Sequence, residues 1–222
     1  MIKAVLFDMD GTLLDSERVA LKAWEYVIDK YNLDMDLTLP IESIGLNYNS
    51  MVKLFHDRCG KDFPFEKYWK CAKQFFAEYE STNGIDVKAG FFELSDYLKS
   101  VGIKMYVAAS TYHDSAIRNL TRAGIWEHFD GAVGGDEITN GKPDPEIFLK
   151  AAELSGCEKE ECIVVEDSEN GVKSAVNAGI KCVFIKDIKD IDPQLKKRAF
   201  CECADLSGII EVIKRLNSNN NY

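Results

Sequence analysis

The chain has 222 residues, 46% of them hydrophobic and 29% charged, with a formal net charge of −10 at pH 7. That length suits one main domain with a smaller insertion, and that composition builds a core and excludes disorder along the whole chain. The acidic balance, without a clustered basic run, excludes a long anionic backbone such as DNA as partner; small anions stay open, because one metal ion and one lysine can reverse a local field.

Lys3 to Phe7 (KAVLF) is a short apolar run of the kind that becomes a strand buried on both faces. Asp8 to Leu14 follows as a turn containing Gly11. From Ser16, a natural N-cap, Ala20, Ala23, Trp24, Val27, Ile28 and Tyr31 recur at helical spacing. Ser50 to Arg58 suits a shorter helix, and Phe65, Tyr68, Trp69, Ala72, Phe75, Phe76 and Tyr79 mark a longer one that stops at Asn83-Gly84. The region from about 16 to 85 therefore reads as all-helical.

After Lys88 helices and strands alternate. Helices are expected over Phe91–Ser100, Ser115–Ala123, Asp144-Pro145 through Leu154, Val172–Ala178 and Leu206–Leu216. Strands are expected over Ile103–Ala109, Gly131–Val133, Cys162–Val165 and Lys181–Ile185, with a further short one near Cys201 and Cys203. This alternation predicts an α/β protein with a Rossmann-like parallel sheet, made of residues 1–15 and 86–222. The block 16–85 interrupts it directly after the first strand and reads as an inserted helical cap domain. The polar tail from Asn217 to Tyr222 reads as frayed.

The seven cysteines are odd in number, and charged Lys3 and Asp8 break the apolar start, so no signal peptide is expected. Reduced thiols in a cytoplasm follow. Cys201 and Cys203 have the spacing of a soft-metal pair but no second close pair, which leaves them ordinary thiols. No apolar run approaches the roughly 18 residues of a membrane span.

Ligands of an open parallel sheet bind beyond the carboxyl ends of its strands. Those ends deliver Asp8 and Asp10, Ser110 and Thr111, and Glu166, Asp167 and Ser168, with Lys142 in the loop after the Gly131 strand. Such a set suits phosphoryl transfer. Carboxylates hold a hard divalent cation, the cation and Lys142 neutralise phosphoryl oxygens, and the Ser110 hydroxyl donates hydrogen bonds. Asp8 is placed to attack phosphorus, and Asp10 to protonate the leaving oxygen and later take a proton from water. Asp34-Met35-Asp36 repeats Asp8-Met9-Asp10 letter for letter, yet no buried strand precedes it and no Gly-Thr follows, so it reads as a solvated turn. His56, His113 and His128 are too scattered for a zinc site, although His113 lies close enough to Ser110 to face the cleft.

The stretches DMDGTLLD (Asp8–Asp15), AAST (Ala108–Thr111), GKPDPEIF (Gly141–Phe148) and VVEDSENG (Val164–Gly171) resemble, in order, the four motifs of the haloacid-dehalogenase-like superfamily. Within it the chain is similar to the phosphatases and mutases related to beta-phosphoglucomutase. The resemblance implies Asp8 as nucleophile, Asp10 as acid/base, and Ser110 and Lys142 on the transferring phosphate. It also implies phosphate binding by Gly11 and Thr12, which shape the phosphate loop, and by Thr111. Mg²⁺ would be held by Asp8, the Asp10 carbonyl and Asp167 with Glu166 close by, and cap closure would exclude water.

The expected activity is hydrolysis of a small phosphorylated metabolite, with a monomer as the default state. A sugar phosphomutase is the alternative. Related mutases usually carry a histidine where this chain has Ala20, and an arginine after a hinge that here reads Gly45-Leu46-Asn47-Tyr48. Without a guanidinium for a distal phosphate, hydrolysis is the easier outcome. A dehalogenase would not need the second aspartate and the metal acid, and a catalytically dead binding protein would commonly lose the nucleophile or metal acid, which are both present.

Overall fold

Ala4, Val5, Leu6 and Phe7 are fully buried and form the central strand β1 (Ala4–Phe7). The computed structural model describes residues 1–218, and in it five further strands pair with β1 or with one another, all parallel. They are β2 (Lys104–Ala108), β3 (Gly131–Val133), β4 (Cys162–Glu166), β5 (Lys181–Ile185) and β6 (Cys201–Cys203). Their order across the sheet is β3-β2-β1-β4-β5-β6. The architecture is α/β with a parallel sheet. β1 and β4 have no exposed residue, because a central parallel strand is covered on both faces and its sequence becomes a continuous apolar run.

The chain divides into two compact units, 15–85 on one side and 1–14 with 86–222 on the other. The first is helical: α1 (Ser16–Tyr31), α2 (Thr38–Ser43), α3 (Tyr48–Cys59) and α4 (Phe65–Asn83). Its core is aromatic, with Trp24 stacked on Phe55 at 4.8 Å between centroids and Phe65 packed near both. The stripe on α4 supplies buried Phe65, Tyr68 and Ala72, while Trp69, Phe75 and Phe76 are half-buried against the same core. Ser16 is not the cap of α1; Asp15 takes the cap position and Ser16 is the first, buried helical residue. The sequence does not place α2, which carries Pro40 in its first turn, where its missing N–H costs nothing. Asp36 accepts the Thr38 amide at 2.8 Å just before that helix, so the second Asp-Met-Asp is spent on a turn.

The second unit carries α5 (Phe91–Ser100), α6 (His113–Arg122), α7 (Glu146–Ser155), α8 (Glu169–Ala178), α9 (Pro193–Lys196) and α10 (Ile209–Ser218) around the sheet. α6 and α8 begin two and three residues before the expected starts at Ser115 and Val172, because their opening turns are polar and leave no hydrophobic signal. α7 starts at Glu146, with Pro145 as its cap residue and the Glu146 amide donated to Asp144 Oδ1 at 3.0 Å. The last expected helix divides into a short 3₁₀ turn (Leu206–Gly208) and α10. Asn217 is held rather than frayed, since its Oδ1 accepts the Ile2 amide at 2.6 Å; residues 219–222 of the expected tail lie outside the described ones. All seven cysteines are free thiols. Among the described residues, no helix is long and apolar enough to cross a membrane.

Candidate active site

From β1 the chain runs outward through β2 and β3 to one edge and through β4, β5 and β6 to the other, so the direction reverses between β1 and β4. In an open parallel sheet, ligands bind at such a reversal, beyond the carboxyl ends of the strands. Asp8 follows β1 directly, Glu166 is the last residue of β4 and Asp167 comes next. The Asp8 amide donates to the Val165 carbonyl at 3.0 Å, which ties the two strand ends together.

Residues 8–14 close a tight turn: the Leu13 and Leu14 amides both donate to the Met9 carbonyl, and Gly11 donates to Leu14. Gly11 has φ +82°, and a Cβ built on it would overlap Asp167 Oδ2. Backbone freedom and close approach both require glycine at that position. Thr12 is fully buried, and its hydroxyl donates to Asp167 Oδ1 at 2.9 Å. The turn therefore orients the β4 acid through two neighbouring residues, and what Thr12 retains for a phosphate is its backbone.

Lys142 joins the two strand ends chemically. Its ammonium, with a side chain only 6% exposed, donates to Asp8 Oδ1 and to Glu166 Oε1, the latter at 2.8 Å. Its other face lies over the Phe148 ring, 4.9 Å from the centroid. Glu166 is fully buried, and its second oxygen accepts the Asp167 amide, the Ser168 amide and the Ser168 hydroxyl at 2.9, 2.9 and 3.0 Å. Ser168 Oγ in turn accepts the Gly171 amide and caps α8. Both Glu166 oxygens are thus engaged, so direct metal ligation by Glu166 has to compete with four donors.

Ligand oxygens of Asp8, Glu166 and Asp167 lie within 4.8 Å of one another, the group of three found among the described residues that could hold a metal. The Asp10 side chain is outside this group; its Oδ2 accepts the Thr111 hydroxyl at 3.0 Å. Ser110 is exposed just past β2, with Thr111 half-buried beside it. His113 does not offer a free ring: Nδ1 meets Glu137 Oε2 at 2.8 Å.

Three buried carboxylates, those of Asp8, Glu166 and Asp167, crowd one ammonium. Burial pushes the Asp8 carboxyl up to about 8, Lys142 pulls against that, and Glu166 adds to it. Lys142 stays charged: desolvation opposes its ammonium, but Asp8 and then Glu166 raise its pKa above the ordinary value. A divalent cation on Asp8 and Asp167 would favour their ionised forms, and an all-oxygen donor set suits a hard ion such as Mg²⁺.

Sequence reasoning missed the supporting residues. A Cβ on Gly171 would overlap the Glu166 carboxylate, so this glycine lets Glu166 lie across the first turn of α8. Glu146 Oε1 and Oε2 accept the Thr139 and Asn140 amides at 2.7 and 2.8 Å, fixing the turn just before Lys142. A glycine in a first helical turn after an acid pair is the one signal the sequence carried for the former.

Residues 5–185 match the family model described as haloacid dehalogenase-like hydrolase. The chain is 32% identical over 187 residues to the "phosphorylated carbohydrates phosphatase" of Thermotoga maritima, covering 82% of this chain and 84% of that one. It is 26% identical to the pyrophosphatase PpaX of Halalkalibacterium halodurans, over 94% and 98% of the two chains. The fold matches the crystal structure of beta-phosphoglucomutase from Clostridium difficile with a TM-score of 0.75 at 24% identity, covering 99% and 98%.

Proposed function

This chain belongs to the haloacid dehalogenase-like hydrolase family, and on that premise we propose that it is a Mg²⁺-dependent phosphomonoesterase acting on a small phosphorylated metabolite, a sugar phosphate or a similar compound. The observation that carries the reading is Lys142, pinned between Asp8 and Glu166 beside Asp167. A buried ammonium shared by two strand ends serves no packing purpose that an apolar side chain would not serve better. It does pull the pKa of the buried Asp8 carboxyl down against desolvation, which favours the ionised nucleophile that would face an incoming phosphoryl group. The relative that acts on phosphorylated carbohydrates supports the substrate class.

In the proposed reaction an Asp8 oxygen bonds to phosphorus as the bond to the leaving oxygen breaks, and Asp10 gives that oxygen a proton. A water then attacks the phosphorus of phosphorylated Asp8, Asp10 takes the water proton, and phosphate and free Asp8 are released. Thr111 holds the Asp10 carboxyl through its Oδ2. Lys142 and the exposed Ser110 hydroxyl meet the charge on the transferring group. Asp8 and Asp167, with the Asp10 carbonyl, would hold Mg²⁺, which neutralises phosphoryl oxygens when bound. Glu166, saturated by Lys142 and the start of α8, is assigned to orienting Lys142.

Hydrolysis is preferred over a mutase because α1 carries Ala20, and Gly45 to Tyr48 contains no arginine. The test is phosphate release from p-nitrophenyl phosphate and from hexose phosphates, with Mg²⁺ and with excess EDTA. Turnover with Mg²⁺ and a loss of at least about 100-fold in EDTA are expected. A folded protein that releases no phosphate from any of them would point to a binding role instead. Isomer interconversion outpacing phosphate release would point to a mutase.

A further inference from the structure

The loop after β3 lies directly under the turn after β2. A Cβ on Gly134 would overlap the His113 amide, and one on Gly135 would overlap the Ser110 carbonyl. Neither glycine has a positive φ, so the constraint is one of space alone. Polar links cross the same contact. The Gly135 amide donates to the Thr111 carbonyl at 2.9 Å, and Asp136 Oδ1 accepts the His113 amide at 2.7 Å. Glu137 Oε2 accepts the Gly134 amide at 2.7 Å and meets His113 Nδ1 at 2.8 Å, so one oxygen grips both loops.

The far end of the β3 loop leads to Lys142, and it is fixed as well. The Glu137 carbonyl accepts Lys150 Nζ from α7 at 2.7 Å, and Glu146 holds the amides of residues 139 and 140. Ser110 and Thr111 sit on one gripped loop and Lys142 on the other. Thr111 carries the position onward by donating to Asp10.

We propose that Glu137 is a positioning residue: it locks the Ser110–Thr111 turn to the loop that presents Lys142, with His113 as its partner across the contact. The assignment rests on the phosphatase reading for its catalytic consequence, but the lock itself is a structural statement. Glu137 and His113 touch none of the reacting groups, and each side chain is about one-third exposed (33% and 32%), so neither is needed to fill the core. Loss of the Glu137 carboxylate frees the turn, and the cost falls on the step that needs Ser110, Asp10 and Lys142 in register.

Glu137→Ala, Glu137→Gln and His113→Phe are compared with the parent protein by kcat and KM for p-nitrophenyl phosphate with Mg²⁺, by thermal unfolding, and by hydrogen exchange of the Gly135 amide. Glu137→Ala should lower kcat about 10- to 100-fold with KM changed less than about threefold, and Gly135 exchange should quicken about tenfold. Glu137→Gln keeps an acceptor oxygen and should stay within about threefold of the parent; His113→Phe, which keeps ring volume, should fall between. Unaltered turnover in Glu137→Ala, or a fall in turnover without faster Gly135 exchange, overturns the lock. Should the parent itself release no phosphate, the exchange rate decides alone: quickening upholds the lock while the phosphatase reading fails, and no change removes the lock.

Discussion

Asp8→Asn should remove turnover while leaving the fold intact, and it should flatten one part of the pH dependence of stability. The amide is nearly isosteric with the carboxylate but is not a nucleophile toward phosphorus. Loss of a nucleophile costs about 10⁴- to 10⁶-fold in kcat in enzymes that act through a covalent step. The stability effect comes from burial. The Asp8 carboxyl is pushed to about 8 from an ordinary value of 3.8, so the folded state favours its protonated form. That contribution is fully present below about pH 4 and is lost as pH rises through about 8. In EDTA, the unfolding free energy of Asp8→Asn minus that of the parent should therefore grow between pH 5 and pH 8.5, by about 1–3 kcal/mol. Taking the difference cancels the titrating groups that lie away from Asp8. Urea melts of both proteins across that range would show it; parallel profiles would mean that the parent carboxylate is already compensated without a metal. Mg²⁺ should stabilise the parent more than the variant, because the ion meets a charge that asparagine lacks.

What could be seen in the sequence, and what could not, follows from how far apart the interacting residues lie. The strand residues of β1 and β4 announce themselves, since burial on both faces leaves an uninterrupted apolar run and the next residue must stand at the sheet's carboxyl edge. Asp8, Glu166 and Asp167 were legible for that reason. Thr12 and Thr111 were expected at a phosphate, and their hydrogen bonds were not foreseen: both hydroxyls donate to aspartates, at Asp167 and Asp10. Those pairings span loops from different strands and leave no periodic trace. Glu137 and Glu146 were invisible because an acidic residue in a polar stretch looks the same whether it is solvated or accepts backbone amides from a neighbouring turn. Helix starts failed in the same way at α6 and α8, where the opening turn is polar and is held by Asp136 on the His113 amide in α6 and by the Ser168 cap in α8 rather than by a hydrophobic face.

Lys142→Met gives the sharpest separation between what the site costs and what it does. Methionine keeps much of the unbranched stem that packs near Phe148, so the packing loss is small. The charge loss is not. Asp8 and Glu166 would face each other without the ammonium that both now contact, and Glu166 has no solvent exposure to fall back on. Removing one partner of a buried ion pair costs about 3–5 kcal/mol, and protonation of one carboxylate can recover part of that. Lys142→Met should therefore be strongly destabilised at pH 8 and less so at pH 5. Adding Glu166→Gln removes one of the stranded charges while leaving an oxygen and an amide group near the start of α8. The double variant should regain about half or more of the lost stability. Its turnover should not return, and both proteins should stay about 10³-fold or more below the parent, since the group that meets the phosphoryl charge is missing from each. Urea unfolding at the two pH values, together with phosphate release at saturating Mg²⁺, separates the two roles. If the double variant regained activity along with stability, Lys142 would be a structural counter-charge and nothing more. If Lys142→Met alone kept turnover within about tenfold of the parent, the ammonium would have no part in the chemistry, and Asp8 would have to be held ionised by the metal.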